Sequence, residues 1–242
     1  MKLYVIGIGP GGEEQMTLRA VRALTACDCV AGYGLYLDLI APLIEGKERI
    51  MTGMTREVDR CTAARDRALQ GQTVAVVSSG DAGVYGMAGL VFEVCEGHPE
   101  IEIEVIPGIT AACSGGAVLG SPLTCDFACV SLSDLLTPWE VIEQRLRGAA
   151  QGDFAIALYN PASKKRTDHL QRACDILLET QKPETVCGLV RNIGRAGETF
   201  SLTTLGALRD TPVDMLTTVF VGNSRTKMVD GRMVTPRGYR GV

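Results

Sequence analysis

One stretch constrains this chain more than any other: Val74-Ala-Val-Val-Ser-Ser-Gly-Asp-Ala-Gly-Val-Tyr-Gly-Met-Ala88. An apolar, β-branched run stops at two serines. Gly80, Asp81, Gly83, Tyr85 and Gly86 follow as a tight turn, and from Met87 the apolar residues fall at helical spacing through Leu90, Val91 and Val94. This is strand, turn, helix, and open α/β sheets bind ligands where such turns leave the carboxyl ends of their strands. Glycines let main chain approach a ligand closely, and Asp81 can accept hydrogen bonds from ligand hydroxyl or amino groups. The plainer alternative is a βα turn in which Asp81 caps the following helix.

The same grammar repeats along the chain. Leu3–Ile8 reads as a strand running into Gly7-Ile-Gly-Pro-Gly-Gly12, followed by a helix carrying Met16, Leu18, Val21 and Leu24. Formally this is G-x-G-x-x-G, the mark of a dinucleotide site. Pro10 argues against it, because it removes a donor where a phosphate wants backbone N–H groups. No acid ends the second strand, near Cys29–Ala31, to hold a ribose; Asp28 lies before it. Tyr33 and Tyr36 sit at the mouth of the next turn, as a flat apolar lining or as two half-buried core residues. A short strand or loop (50–54), an amphipathic helix (56–69), an alternating strand (101–106) and another strand-to-helix turn at Pro107-Gly-Ile-Thr-Ala-Ala112 complete the first half, with Thr110 as cap or ligand donor. The small Gly/Pro-bearing segment 115–123 reads as a domain junction.

The second half offers strands over 126–134, 154–159, 185–190, 198–202 and 217–222. Thr137 reads as N-cap of a helix with Pro138 at its first position, Thr203-Thr204 as the start of a short helix, and Asp230-Gly231 as a hairpin turn. Strand and helix thus alternate twice over, which predicts an α/β chain of two α/β domains, 1–118 and 119–242, with a ligand cleft between them.

Composition excludes several classes. A net charge of −4 without a basic block leaves no footprint for nucleic acid. No apolar run reaches the roughly 18 residues of a membrane span. The chain goes straight into a strand with no signal peptide, so a cytoplasmic location is expected. Nine cysteines without C-x-x-C spacing, and two histidines far apart, predict reduced and mostly buried thiols and no protein-held metal.

The combination of Gly7-Ile-Gly-Pro-Gly11, Gly80-Asp81 with Tyr85-Gly86, Pro107-Gly-Ile-Thr-Ala111 and Tyr159-Asn-Pro161 resembles the tetrapyrrole methylase family over essentially the whole chain. Ser78–Gly89, Ser131–Trp139 and Thr235–Tyr239 look like its ring-contracting branch in cobalamin biosynthesis, which methylates precorrin-3B or cobalt-factor III at C(17). The resemblance implies two α/β domains, usually in a homodimer, with S-adenosylmethionine as methyl donor. It places Pro10 on the floor of a tetrapyrrole trough. Gly80, Asp81 and Val84 would hold the methionine and ribose, and Thr110 and Ala111 continue that wall. Tyr159 or Asn160, Asn192 and Thr217 would surround the adenine. Cobalt, if present, would arrive within the substrate. Ala82 stands where most family members have proline, as is typical of this branch. Gly34 stands where many branch members carry lysine, which puts a substrate-carboxylate contact there in question.

Methyl transfer from a sulfonium needs no protein nucleophile, and none is visible. For acid–base help in ring contraction, Asp81, Tyr85 and Ser131 are candidates by position. A polyanionic substrate calls for local cations, and Lys164, Lys165, Arg166, Arg191, Arg195 and Arg237 are the candidates; the first three also read as a solvated basic turn. The rivals are another methylase of the family, a dinucleotide-dependent oxidoreductase, and a module that binds a tetrapyrrole without turning it over.

Overall fold

The structure is a computed structural model that describes residues 1–163 and 166–240. It divides into two compact units, 1–110 and 111–242.

In the first unit the elements follow the alternation of the sequence: β1 (Lys2–Gly7), α1 (Leu18–Ala26), β2 (Cys29–Tyr33), α2 (Gly34–Leu39), β3 (Glu48–Thr52), α3 (Glu57–Leu69), β4 (Val74–Ser78), α4 (Ala88–Val94) and β5 (Glu102–Ile106). Its described strands form one parallel sheet in the order β3-β2-β4-β1-β5. Both faces are covered, so the central strand Val74–Ser78 is buried along its whole length, as a parallel strand between helix layers must be. One core layer joins Leu3, Val5, Ala31 and Val76 to Cys61 and Ala64 of α3 and Val91 of α4. The other joins Ile6, Val30, Ala75 and Val77 to Ala20 and Leu24 of α1 and Leu37 of α2.

That division of helices has a topological consequence. Chain leaving β2 turns outward to β3 under one face, whereas chain leaving β4 passes over the other face toward β5. The connections that leave the adjacent strands β2 and β4 therefore part in opposite directions at their carboxyl ends. Such a switch point opens a crevice, and it is where open α/β sheets take ligands.

The second unit begins with α5 (Ala111–Leu119) and β6 (Gly120–Ser121). It continues through β7 (Phe127–Ser131), α6 (Trp139–Gln151), β8 (Ala155–Tyr159), α7 (His169–Leu177), β9 (Val186–Arg191), β10 (Thr199–Thr204), α8 (Leu205–Leu208) and β11 (Thr217–Val221), and ends in the hairpin β12 (Lys227–Val229) and β13 (Arg232–Val234). Its main sheet, β10-β9-β11-β8-β7, is mixed: β7 and β8 run parallel, and the rest pair antiparallel. Helices α6, α7 and α8 cover one face, and α5 lies on the other with Phe220 and Met233.

Three local expectations are corrected. Residues 115–119 are not a junction but the end of α5. Gly115 lies so close to Ile193 and Phe220 that an added Cβ would stand 2.9 Å from each, so this small-residue segment is a packing face of the second unit. The division accordingly falls at 110/111, ahead of the expected 118/119. Helix α6 starts at Trp139 with Pro138 in the cap position and extended (ψ 143°), one residue later than the Thr137–Pro138 pattern suggests. Strand β10 continues through Thr203 and Thr204, and only the Thr204 hydroxyl caps α8. Asp230 and Gly231 do form the hairpin turn, both with positive φ.

Candidate functional site

The three glycine turns of the first unit meet at the carboxyl ends of neighbouring strands β4, β1 and β5. Gly9 and Gly80 pair main chain to main chain, with N···O distances of 3.0 and 2.8 Å, and both have φ of 70°. An added Cβ at Gly7 would meet Gly108 N at 2.6 Å and Gly80 O at 2.7 Å; one at Gly108 would meet Gly80 O at 2.1 Å. Only glycine permits backbone to lie on backbone this closely.

Asp81 locks the assembly. Its Oδ1 accepts from the N–H groups of Gly83 (2.7 Å) and Val84 (3.1 Å), and its Oδ2 accepts from Gly108 N–H (2.9 Å). The carboxylate thus ties the β4 turn to the β5 turn. It does not cap α4, whose first residue is Ala88; there the Ser78 hydroxyl accepts from Met87 N–H. Pro10 and Gly80 are buried, and Val84 and Thr110 are half-buried at the same end of the sheet.

The dinucleotide reading of Gly7-x-Gly9-x-x-Gly12 fails on geometry. The Ile8 and Gly9 N–H groups already donate to Ser78 and Gly80 carbonyls. After Gly12 comes a single 3-10 turn, and α1 begins only at Leu18 with its own Thr17 cap. No α-helix N-terminus follows directly on the glycine loop.

At the switch point between β2 and β4 lies a cavity of about 160 Å³, lined among others by Tyr33, Tyr36, Met54, Tyr85 and Met87. The two tyrosines that read as lining residues are there, edge to face at 5.4 Å. Tyr85 is 52% exposed and held at φ 55°, a left-handed conformation that bulky side chains avoid. Such an outlier persists only where surrounding structure enforces it.

One wall of this cavity is Arg60, which the sequence did not single out. It sits on the inward face of α3 with Cys61, Ala64 and Ala68, and is 3% exposed. Its Nε donates to Thr52 Oγ1 (2.9 Å), its Nη2 to Gly53 O (3.1 Å), and its Nη1 lies 3.8 Å from Met87 Sδ.

In the second unit the remaining predicted residues also gather at one sheet end. Ser131 closes β7, Tyr159 closes β8, Asn192 follows β9, and Thr217 opens the antiparallel β11 opposite Arg191. The Tyr159 hydroxyl accepts from Ala112 N–H (2.8 Å), next to Ala111. Asn160 and Asn192 have φ of 53° and 55°. Asn160 Nδ2 donates to Ser131 Oγ (2.9 Å). Thr217 is 6% exposed and donates to Asp214, which also pairs with Arg191 at 2.8 Å. Burial would raise the Asp214 carboxyl, but Arg191, Thr217 and Leu216 N–H together hold it below the usual carboxylate range.

The cation candidates differ in availability. Arg191 is paired with Asp214. Arg166 is held by the Ser133 hydroxyl and lies 3.8 Å from Asp134. Asp134 in turn is drawn down by the His169 ring, whose Nε2 lies 3.1 Å away but off the line of a good hydrogen bond. Arg237 is exposed and Arg195 half-buried, while Lys164 and Lys165 lie outside the described residues. Among the described residues, no group of three His, Cys, Asp or Glu side chains could hold a metal ion.

The chain is 49% identical to the probable cobalt-factor III C(17)-methyltransferase of Salmonella typhimurium, over 98% of this chain and 99% of that one. It is 39% identical to the precorrin-3B C(17)-methyltransferase of a Sinorhizobium species, over 99% and 98%. The crystal structure of the methyltransferase CobJ superimposes with a TM-score of 0.90 at 41% identity, covering 97% of this chain and 99% of that one. The family model of the tetrapyrrole (corrin/porphyrin) methylases matches residues 2–209. The chain belongs to that family.

Proposed function

We propose that the protein is an S-adenosylmethionine-dependent C-methyltransferase of cobalamin biosynthesis that methylates C(17) of precorrin-3B or cobalt-factor III with ring contraction. The observation that carries this is the end-to-end likeness to proteins named for that reaction, joined to a switch-point cavity rather than a nucleotide-type glycine loop.

The chemistry asks little of protein nucleophiles. The donor's sulfonium supplies an electrophilic methyl group. The ring carbon's electron pair forms the new C–C bond as the C–S bond breaks, leaving a neutral thioether. Holding both partners in line can supply up to roughly 7–11 kcal/mol of the barrier. The rigid glycine turns suit that task. The donor's methionine and ribose are assigned to Gly80, Asp81, Val84, Thr110 and Ala111, with Pro10 on the floor of the tetrapyrrole site. The adenine is assigned to Tyr159 or Asn160, Asn192 and Thr217. Both Asp81 oxygens bond main-chain N–H groups, so Asp81 acts on the donor chiefly by shaping the turns. Of the acid–base candidates, Tyr85 alone lines the cavity, and Ser131 already accepts from Asn160 and from Ser133 N–H. A homodimer in the cytoplasm is part of the same proposal. Among the described residues no helix is long and apolar enough to cross a membrane.

Calorimetric titration with S-adenosylhomocysteine, and with NADH in parallel, tests the class. Micromolar binding of the first and none of the second is expected. Mass spectrometry with metal-free and cobalt-bearing substrates then separates the two substrates. Tetrapyrrole binding without consumption of the methyl donor would replace the enzyme with a carrier.

A further inference from the structure

The least explained group in the molecule is the Arg60 guanidinium. Burying a cation is costly unless it is paired, and long charged side chains are almost never fully buried without a partner of opposite sign. Arg60 is 3% exposed, yet all three of its hydrogen-bond partners are neutral: a hydroxyl, a carbonyl and a thioether. Among the described residues no carboxylate lies within 4 Å of it, although Arg56, Arg65 and Arg67 of the same helix segment each have one. Glu57 lines the same cavity one turn earlier, but its Oε1 accepts from Thr55 N–H (3.2 Å). Among the described residues, two of the five guanidinium hydrogens have no partner atom of their own, and a third has only sulfur.

The setting says what the missing partner is. Arg60 is held from behind by Thr52 and Gly53, at the end of β3, so its orientation is fixed before any ligand arrives. The cavity beside it is walled chiefly by Tyr33, Tyr36, Tyr85, Met54 and Met87, with Glu57, Ser78 and Ser79 also in its lining and Arg60 as its one cation. About 160 Å³ is well below the roughly 300–1,000 Å³ of a pocket that engulfs a drug-sized ligand. It does not hold a macrocycle. It has room for one acidic arm of a larger molecule, whose flat body would lie across the tyrosines.

We propose that Arg60 is a substrate anchor: its guanidinium takes one peripheral carboxylate of the tetrapyrrole in the crevice between β2 and β4. This deepens the function proposed above and rests on it. The anchor fixes the rotation of the macrocycle, so Arg60 is a specificity-determining residue rather than one that handles the methyl group.

Arg60→Gln retains a donor for Gly53 O but carries no charge; Arg60→Lys retains charge but not the fork. Affinity for cobalt-factor III is read by absorbance titration and affinity for S-adenosylhomocysteine by calorimetry, on the full chain. Arg60→Gln is expected to weaken cobalt-factor III binding roughly ten- to a hundredfold. Arg60→Lys should recover part of that loss, S-adenosylhomocysteine binding should stay within twofold, and KM should rise more than kcat falls. Undiminished cobalt-factor III binding by a folded Arg60→Gln would overturn the anchor and leave the methyltransferase reading standing. Failure of the unmodified protein to bind either cobalt-factor III or precorrin-3B would overturn both. If Arg60→Gln does not fold, a crystal structure of the unmodified protein with cobalt-factor III decides. A carboxylate within hydrogen-bond distance of Arg60 supports the anchor, and carboxylates placed only elsewhere refute it.

Discussion

Asp81 carries three charge-assisted hydrogen bonds to main-chain N–H groups, two in its own turn and one 27 residues away in sequence. Removing it strands donors that the surrounding backbone cannot re-pair. Asp81→Ala should therefore destabilise the protein by roughly 2–4 kcal/mol as well as weaken donor binding, with Asp81→Asn losing about half as much. Urea unfolding beside calorimetry with S-adenosylhomocysteine reads both; a variant with full stability would remove the clamp. Tyr85 tests the opposite relation. Its left-handed backbone costs about 1–2 kcal/mol, which glycine would relieve against a smaller entropic penalty. Tyr85→Gly should leave stability unchanged or raise it by up to about 1 kcal/mol while turnover falls. A large drop in melting temperature would mean that the ring packs as core.

At the scale of elements, the sheet of the first unit is held in register at its other end by charge. Lys2 of β1 pairs with Glu102 and Glu104 of β5, and Arg19 of α1 bonds Glu104 at 2.7 Å. Lys2 first, then Arg19, hold the Glu104 carboxyl below its ordinary 4.5. A lowered carboxylate stabilises the fold above its unfolded value and loses that contribution as pH falls through the folded one. The stability of the unmodified protein over Glu104→Gln should thus be complete above about pH 5 and vanish in stronger acid, as followed by urea unfolding across pH. At the carboxyl end, Gly108→Ala drives a methyl into Gly80 O, where no side chain can yield. A loss of about 3 kcal/mol or more, or no folded protein, is expected on thermal unfolding. The elements themselves were largely readable: a β-branched run such as Val74–Ser78 announces a buried strand, and helical spacing announces its crossover. Boundaries were less so. Gly115 looks like a linker residue in a string of letters, and only Ile193 and the ring of Phe220 show why it is small. Arg60 was invisible for a related reason. Periodicity marks the face of a helix that turns inward, but not whether that face meets core or cavity. Asp81 stood out in the sequence, but its partners did not, because main-chain donors carry no signature there.

Across the whole molecule, most of the nine cysteines behave as small hydrophobes. Six are buried, Cys125 and Cys129 are partly covered, and Cys113 is exposed. Burial pushes the thiols of Cys29 and Cys61 up to about 11 and that of Cys174 up to about 12. A thiol-disulfide reagent should therefore label Cys113 quickly, Cys125 and Cys129 slowly, and the other six only on unfolding. Fast reaction at Cys27 or Cys187 would contradict the packing. A last consequence follows from the meeting of Gly7, Gly80 and Gly108. Where these turns meet, peptide group lies on peptide group, and an added Cβ at Gly7 or Gly108 would strike main-chain atoms. If the crevice takes the macrocycle as proposed, the side chains free to vary its preference are those that line it. A mutant library aimed at a new macrocycle should randomise Tyr33, Met54 and Met87 and leave the three turns untouched.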